Sequence, residues 1–328
     1  MINQTLHLLV SPRTPHGRYI RRTLKRIRNR RMLNGAKRRY NVYRQTYYKS
    51  LVIRRDVQSD AKVSIVVPCF NTPVKYFEPL LSSVFSQGYE NWELVLVDAS
   101  TDPNISEYIK KRSGADLRIV YKKVPNKGIA INTNEAIELA TGEYVAFLDH
   151  DDTLDPNALS ESIHHFNTHP EVGLVYSDED KISEDGEEFF DAHFKPDFSL
   201  DMLRNVNYIT HFVVTKKDVA EKLKIREGFD GAQDYDFLLR VHDEGVVFGH
   251  VPQILYHWRV AQNSTAADFS NKKSVTDAGV RALEDHFKRQ GVSGIKPYAI
   301  EQRPGFYSAN YTMAKGLKPR INILLENT

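Results

Sequence analysis

Short apolar runs that alternate with helical stretches constrain the fold of this chain more than any other feature. Residues 63–67, 94–97, 119–121, 144–148 and 174–176 are rich in Val, Ile, Leu and Tyr, and amphipathic stripes lie between several of them. Strand, helix and strand in this order is the repeating unit of a parallel sheet covered by helices. The pattern predicts an α/β fold with a mostly parallel central sheet flanked by helices, whose ligands gather at the carboxyl ends of the strands.

Three acids follow the run at residues 144–148 within four positions, namely Asp149, Asp151 and Asp152. Carboxylates at the end of a buried strand repel one another unless a cation lies among them. Asp149 and Asp151 are separated by one residue and offer the hard oxygen ligands that Mg²⁺ and Mn²⁺ prefer, and these ions leave positions for substrate phosphates. The cluster therefore predicts a Mn²⁺ or Mg²⁺ site that takes a nucleotide diphosphate.

The composition narrows the class of protein further. The chain has 328 residues, 41% of them hydrophobic, and no apolar run approaches the roughly 18 residues of a membrane span. The one cysteine, Cys69, excludes an intramolecular disulfide framework and fits a reducing compartment. We therefore expect a globular protein of the cytoplasm, either in solution or peripheral at the inner face of the membrane.

A basic arm precedes an acidic body. Residues 1–55 hold 16 of the 45 Lys and Arg and no acid, which leaves 29 basic against 42 acidic residues for the rest. Within the arm, Tyr40, Tyr43 and Tyr47 recur at helical spacing. Such an arm could lie on a membrane surface or a lipid-linked substrate, or pack on the body or on a partner subunit. Binding to nucleic acid is the least expected of these roles.

Six short blocks follow one another along the body, at residues 63–71, 86–100, 126–134, 149–152, 231–240 and 255–259. In this order they resemble the successive blocks of glycosyltransferase family 2. The resemblance implies the A-type glycosyltransferase fold, a nucleotide-sugar donor, a saccharide or lipid-linked acceptor, a divalent metal, and inversion at the anomeric carbon. It also implies a role in surface-polysaccharide synthesis.

The resemblance divides the chain into three parts. Residues 61–265 are expected to form the catalytic domain, with a nucleotide-binding half at 61–155 and an acceptor half at 156–265. Residues 1–60 are expected to form a basic helical extension, and residues 266–328 a C-terminal helix and tail.

The same resemblance assigns the donor contacts to side chains near the strand ends. Asp98 would hydrogen-bond the base or ribose, while Lys127 and Arg259 would attract the phosphates. Asp149 and Asp151 would hold the metal and the sugar diphosphate, and His257 would approach the metal. The remaining donor contacts fall to Pro68, Asn71, Asn134 and His150. Three of these positions have plain structural alternatives, because Asp98 could cap a turn, His257 could be a satisfied structural residue, and Lys127 could be an exposed loop lysine without a ligand.

Asp234 matches the position of the catalytic base in this family. Inversion needs a base that takes the proton of the acceptor hydroxyl. Asp234 precedes the apolar residues at 237–241, which predicts a helix that starts near Asp234 and is anchored in the core. A capping role alone is the alternative. Asp178 and Asp180 follow the run at 174–176 and match a block expected to form the acceptor wall, although they could simply be solvated.

Two other functions remain compatible with these residues. A metal-dependent nucleotidyltransferase also pairs acids with a metal on an α/β sheet, but no glycine-rich phosphate loop follows the first strand. A catalytically silent sugar-binding scaffold could keep the same fold. The presence of Asp149, Asp151 and Asp234 argues against that reading.

Overall fold

The computed structural model describes residues 35, 38–47, 50–112, 116–260 and 272–310. Residues 38–47 are helical and are called the arm helix below. The strands are β1 (Val63–Cys69), β2 (Trp92–Asp98), β3 (Ile119–Lys123), β4 (Tyr144–Phe147), β5 (Thr153–Leu154), β6 (Val172–Ser183), β7 (Phe189–His193), β8 (Val213–Lys216), β9 (Val247–Val260), β10 (Lys296–Ala299) and β11 (Tyr307–Asn310). The helices are α1 (Val74–Phe85), α2 (Asn104–Arg112), α3 (Ile129–Leu139), α4 (Ala158–Thr168), α5 (Leu200–Leu203), α6 (Lys217–Leu223), α7 (Gln233–Asp243) and α8 (Lys272–Arg289).

A central sheet in the order β3-β2-β1-β4-β8-β6-β9-β5 organises the described part of the chain, with β7 paired to β6. The four strands from β3 to β4 are parallel. Direction changes at β8, which runs antiparallel to both β4 and β6, while β6 and β9 are again parallel. The parallel half is the part that the alternating pattern of strand and helix predicts.

Alternation along the strands explains why the parallel half is buried on both faces. Ile65 of β1 lies in the same core cluster as Leu80 of α1, whereas Val66 lies in the other cluster with Ile137 of α3. Successive side chains of a strand point to opposite faces, so helices on both sides are needed to cover them. Each such aliphatic side chain contributes about 1.5–3 kcal/mol when it is fully buried.

The arm helix packs against the body through polar contacts. The hydroxyl of Tyr40 donates a hydrogen bond to Asp180 of β6, and Nε of Arg44 lies 3.6 Å from Oδ2 of the same carboxylate. For residues 38–47, this contact matches the expectation that the arm packs on the body. Residues 1–34 lie outside the described residues, as do 311–328 at the other end. Within the described ranges, no helix combines the length and apolar character that a membrane crossing requires.

Candidate active site

A cavity of about 90 Å³ opens at the carboxyl ends of β1 and β4. Asp149 and Asp234 both line it, together with Pro68, Thr210 and His211. Its apolar floor comes from the sheet and from α7, and includes Val66, Phe147, Phe237 and Leu238. The fold thus brings two acids that are distant in sequence to one shared cavity.

The start of α7 gives Asp234 its position. The helix begins at Gln233, and its apolar side chains Tyr235, Phe237 and Val241 are buried in the core. The ring of Phe237 meets that of Phe147 from β4 edge to face, with centroids 5.7 Å apart. A helix held this firmly leaves its first-turn carboxylate little freedom of direction.

The surroundings of Asp234 favour its protonated form. Burial raises the pKa of Asp234 above its ordinary value, and the nearby charge of Asp149 acts in the same direction. The charge of His211 and hydrogen bonds from Thr210 and the backbone of Tyr235 oppose the rise without cancelling it. A carboxylate whose pKa is raised toward neutrality accepts a proton more readily, as a general base must.

Asp149 shares its side of the cavity with a histidine. Nε2 of His211 lies 3.5 Å from Oδ2 of Asp149, and the backbone N–H of His211 donates to Oε2 of Glu179 at 2.7 Å. Burial by itself would raise the pKa of Asp149. The hydrogen bond and the charge of His211 have the larger effect, in the opposite direction, and the pKa of Asp149 is lowered overall. Asp149 is therefore ionised at neutral pH, and about half of its side chain is exposed (49%).

Of the next two acids, Asp152 lies deeper. Asp152 is fully buried and accepts hydrogen bonds from the hydroxyl of Tyr256 and from the backbone N–H of Arg259, at 2.5 and 2.6 Å. Burial raises the pKa of Asp152 well above its ordinary value, and the charges of Asp151 and Asp149 add to this. Burial also raises the pKa of Asp151. The negative charge of Asp149, Asp151 and Asp152 together thus exceeds the positive charge of the side chains around them.

These acids fit a divalent cation that also binds phosphates. Within the described ranges, no group of three or more His, Cys, Asp or Glu side chains forms a complete metal cage. Mg²⁺ and Mn²⁺ do not need one, since they are commonly held by one or two carboxylates plus substrate phosphates. The excess of carboxylates at Asp149 and Asp151 supplies the hard oxygen donors that such an ion prefers.

Arg259 binds the backbone of the loop that carries Asp151. Its guanidinium donates from Nε to the backbone carbonyl of Asp151 at 2.7 Å, and from one terminal nitrogen to the carbonyls of Ser183 and Glu184. The residue is 1% exposed. In this structure Arg259 therefore orients the loop that carries Asp151, and its expected attraction of the donor phosphates stays a prediction.

The residues expected around the nucleotide are engaged with the protein. Asp98 is fully buried and accepts from the backbone N–H of Ser100, the hydroxyl of Tyr121 and Nζ of Lys123, at 2.9, 2.7 and 3.0 Å. Asn71, next to Ser100, takes a left-handed backbone with φ of 49°. These contacts give Asp98 a turn-capping role, which is the structural alternative for this residue.

Three further predicted donor contacts lie away from the cavity or at its edge. Both polar atoms of the Asn134 amide pair with the backbone of Ile225, at 2.7 and 2.8 Å, so this side chain supports a cavity wall. Lys127 is exposed in the loop before α3. His150 lies between the two acids in sequence, and its buried Nδ1 has no hydrogen-bond partner among the described residues.

The register of β6 against β9 places Asp180 and His257 on the face away from the cavity. Glu179 lies opposite Tyr256, and Asp180 lies opposite His257. Because neighbouring residues of a strand point to opposite faces, Glu179 and Tyr256 reach His211 while Asp180 and His257 face the arm helix. Nδ1 of His257 lies 2.6 Å from Oδ1 of Asp180 there. The pairing with Asp180 gives His257 the structural role that was its alternative, and its approach to a metal stays a prediction.

Neither acid expected in the acceptor wall is accessible in this structure. Asp178 is 2% exposed and Asp180 is fully buried. Oδ1 of Asp178 accepts from the backbone N–H of Lys195 at 2.8 Å and lies 2.9 Å from Nε2 of His250. Asp178 therefore ties β6 to β9 and to the segment after β7, and Asp180 ties β6 to the arm helix. Both acids have structural roles here, and their role in acceptor binding stays a prediction.

Sequence reasoning missed residues 207–211, the segment that contacts both Asp149 and Asp234. It contributes Thr210 and His211 to the cavity, and Glu179 and Lys195 contact it from behind. The one signal was the polar and aromatic sequence of this segment directly before the apolar residues 212–214. The sequence did not predict strand β8, so it could not show where residues 207–211 lie relative to the other strands.

Comparison with known proteins agrees with the fold. The sheet and its acidic strand end define a protein with the A-type glycosyltransferase fold. The family model described as Glycosyl transferase family 2 matches residues 64–223. The chain therefore carries a glycosyltransferase family 2 domain.

A curated relative is similar over most of this chain. The O-antigen biosynthesis protein RfbC of Myxococcus xanthus is 38% identical over 246 residues, which are 74% of this chain and 19% of the relative. The chain spans less than a third of the length of the curated relatives that it matches at 38% and 39% identity.

Two solved structures share the fold. TarS residues 1–349 of S. aureus, in complex with UDP-GlcNAc, superposes with a TM-score of 0.56 at 18% identity and covers 69% of this chain and 66% of its own. The mannosyltransferase PcManGT of Pyrobaculum calidifontis, in complex with GDP-Man and Mn²⁺, gives a TM-score of 0.54 at 18% identity. It covers 78% of this chain and 73% of its own.

Proposed function

We propose that this chain is a metal-dependent, inverting glycosyltransferase. It moves a sugar from a nucleotide-diphosphate sugar to a saccharide or lipid-linked acceptor in the synthesis of a surface polysaccharide. The observation that carries the proposal is the shared cavity lined by Asp149 and Asp234. In this proposal Asp149 helps to bind the donor diphosphate, and Asp234 takes the proton of the acceptor hydroxyl.

Asp234 acts as the general base. The acceptor hydroxyl gives its proton to the Asp234 carboxylate while its oxygen forms a bond to the anomeric carbon of the donor. The bond from that carbon to the diphosphate oxygen breaks at the same time, and a nucleoside diphosphate leaves. The raised pKa of Asp234, caused chiefly by burial, supports this role.

Asp149 and Asp151 hold the donor end of the site. These carboxylates would bind Mn²⁺ or Mg²⁺, which when bound offsets the negative charge that builds on the leaving diphosphate. Pro68 lines the cavity together with Asp149 and would border the nucleotide. The apolar floor excludes water from the reacting atoms, which strengthens every charge interaction inside the cavity.

The substrate class comes from the relatives. RfbC is named for O-antigen biosynthesis, and the two solved neighbours carry UDP-GlcNAc and GDP-Man, so a nucleotide sugar and a glycan product are the natural candidates. We assign catalysis to residues 61–265, because the strands of the central sheet run from Val63 to Val260.

The decisive experiment compares the wild-type chain with Asp234→Asn. Both proteins are incubated with UDP- and GDP-sugars, Mn²⁺ and a panel of saccharide acceptors, and release of nucleoside diphosphate is measured. We expect Asp234→Asn to keep donor binding and to lose about 10²- to 10⁴-fold in transfer. Asp230→Asn, an exposed residue four positions earlier, is the matched control and should transfer at the wild-type rate.

A thermal-shift series separates donor binding from transfer. Nucleotide sugars should raise the melting temperature of the wild-type chain and of Asp234→Asn only when Mn²⁺ or Mg²⁺ is present. In Asp151→Ala this metal-dependent shift should be weakened or lost. Equal transfer by the wild-type chain and by Asp234→Asn would overturn the assignment of the base. Release of pyrophosphate from a nucleoside triphosphate would point to a nucleotidyltransferase instead.

The basic arm would bring the catalytic domain to a membrane that carries the acceptor. Residues 1–55 contain no acid, so anionic headgroups would attract them. The full chain should bind vesicles that contain anionic lipid in a salt-sensitive manner, and deletion of residues 1–55 should abolish binding. Binding that survives the deletion would contradict this role of the arm.

A further inference from the structure

One side chain outside the predicted site contacts Asp234 directly. Nδ2 of Asn207 donates a hydrogen bond to Oδ2 of Asp234 at 2.8 Å. The same amide nitrogen lies 3.1 Å from the hydroxyl oxygen of Thr210, which lines the cavity. An amide that binds one carboxylate oxygen restricts rotation of the carboxylate and defines the direction of the second oxygen.

The segment that carries Asn207 is itself held by buried charges. Nζ of Lys195 donates to the backbone carbonyl of Ile209 at 2.8 Å and also to that of His211. Oε2 of Glu179 accepts the backbone N–H of His211 at 2.7 Å. Lys195 and Glu179 are 6% and 8% exposed, so these bonds are shielded from water. These buried contacts therefore hold residues 207–211 in place. The segment contacts Asp234 through Asn207 and Asp149 through His211.

We propose that Asn207 is a positioning residue for the catalytic base: its amide holds one oxygen of Asp234 so that the other faces the acceptor. This inference rests on the proposed function, in which Asp234 takes the proton of the acceptor hydroxyl. Thr210 supports the same arrangement by binding the amide of Asn207. Asn207 itself touches neither the donor nor the reacting atoms.

Positioning by a hydrogen-bond donor has an electrostatic consequence. An N–H group that faces a carboxylate stabilises the ionised form, so its removal should make Asp234 easier to protonate. The other groups that act on this carboxylate are His211, Asp149, the hydroxyls of Thr210 and Tyr307, and the backbone N–H of Tyr235. Only Thr210 among them also contacts Asn207, so a change in the titration of Asp234 reports on Asn207 and its bond to Thr210.

The test uses Asn207→Ala, Asn207→Asp and the matched control Asn205→Ala. Asn205 is exposed, and its amide donates to the backbone carbonyl of Asp201, away from the cavity. The acid limb of the pH profile of kcat/KM reports the base of the uncomplexed enzyme. We expect this limb to move up by about one pH unit in Asn207→Ala, the shift that corresponds to a lost hydrogen bond to a charged group. It should move further in Asn207→Asp, because the added charge repels Asp234, and not at all in Asn205→Ala.

A second measurement does not depend on transfer. The carboxyl carbons of aspartate are labelled with ¹³C, and the Asp234 signal is identified as the one missing from Asp234→Asn. Its titration should move upward in the same order, from wild type to Asn207→Ala to Asn207→Asp. A purely structural role of Asn207 would lower kcat/KM equally at all pH values and leave both titrations in place, which would overturn the inference.

The two proposals fail in different ways. If Asp234→Asn transfers sugar as fast as the wild-type chain, the base assignment is wrong, whatever the titrations show. If Asp234→Asn is inactive but neither variant at Asn207 moves the acid limb or the carboxyl titration, only the positioning role of Asn207 is wrong.

Discussion

His211 lies between two carboxylates, with its Nε2 3.5 Å from Oδ2 of Asp149 and its Nδ1 3.4 Å from Oε2 of Glu179. Burial by itself would lower the pKa of His211. The interactions of its ring with the carboxylates of Asp149 and Glu179 have the larger effect, and the pKa is raised well above the ordinary value. The chain therefore presents a cation of its own to Asp149, the first acid of the predicted metal pair. The imidazolium and a metal ion would compete for the same negative charge.

This relationship predicts that His211→Ala binds Mn²⁺ more tightly than the wild-type chain when no nucleotide is present. Loss of the imidazolium removes a repulsive charge from the site and leaves Asp149 without its internal partner. Two like charges a few ångströms apart repel by about 1 kcal/mol in water and by about 4 kcal/mol near a protein surface. We expect a gain of at least several-fold, measured by the electron paramagnetic resonance signal of unbound Mn²⁺.

His169→Ala, an exposed histidine at the end of α4, is the matched control and should leave the affinity unchanged. The affinity of the wild-type chain should also increase as pH rises and His211 loses its proton, whereas that of His211→Ala should vary less. Weaker Mn²⁺ binding by His211→Ala would contradict the competition and would make His211 a supporting partner of the metal.

The contact of Arg44 with Asp180 predicts that the arm helix loosens when this charge is removed. Asp180 is fully buried, so Arg44→Ala leaves its carboxylate with less compensation from the arm. Amide hydrogen exchange in residues 38–47 should become about ten-fold faster, which mass spectrometry of the exchanged peptides can measure. Arg39→Ala, an exposed arginine of the same helix, should exchange at the wild-type rate. Equal rates in Arg44→Ala and the wild-type chain would show that the contact does not hold the arm.

The parallel half of the fold could be predicted because each of its elements has a local signal. The apolar runs of β1, β2 and β4 are short and bounded by polar residues, and the helical stripes between them have a different period. Once these strands are parallel, their carboxyl ends meet at one edge, which places Asp149 beside the same cavity as Pro68. Asp234 is assigned by its match to the base position of the family, and the apolar residues after it predict that a helix starts there.

The rest of the site depends on pairings that no local pattern specifies. Asp180 and His257 face away from the cavity because of the register between β6 and β9, and a shift of one residue would reverse them. Residues 207–211 have no periodic signal, and their position follows from β8, which runs against its neighbours. The amide of Asn134 looked like a donor contact, although its partner is a backbone segment distant in sequence.

The hydrogen bonds of Asn134 predict a structural effect of its removal. Its amide pairs with the N–H and the carbonyl of Ile225, so Asn134→Ala leaves two backbone groups without these partners. The free energy of unfolding, measured with urea, should fall by about 1–3 kcal/mol. The affinity for the donor sugar should stay within a few-fold of wild type. A large loss of donor affinity with unchanged stability would instead restore the nucleotide-binding role of this residue.

Glu93 predicts a stability effect whose size depends on pH. Its buried carboxylate accepts from the hydroxyl of Ser64 at 2.6 Å and from the hydroxyl of Thr141 at 2.8 Å, with Lys62 3.2 Å away. Burial raises the pKa of Glu93, but these hydrogen bonds and one from the backbone of Thr141 outweigh it and lower the pKa. A lowered pKa in the folded state contributes stability above the unfolded-state pKa of about 4.3, and that stability is lost as pH falls through the folded-state pKa.

Glu93→Gln should therefore lower the free energy of unfolding by about 1–3 kcal/mol at neutral pH, because the amide cannot accept from all of these donors. The difference from wild type should shrink as pH falls below about 4, where protonation removes the advantage of the carboxylate. Urea unfolding at several pH values measures both effects. Glu90→Gln, whose side chain is 81% exposed, is the matched control and should change stability little at any pH. A loss in Glu93→Gln that stays the same from neutral to acidic pH would mean that shape, and not the charge of Glu93, stabilises this part of the sheet.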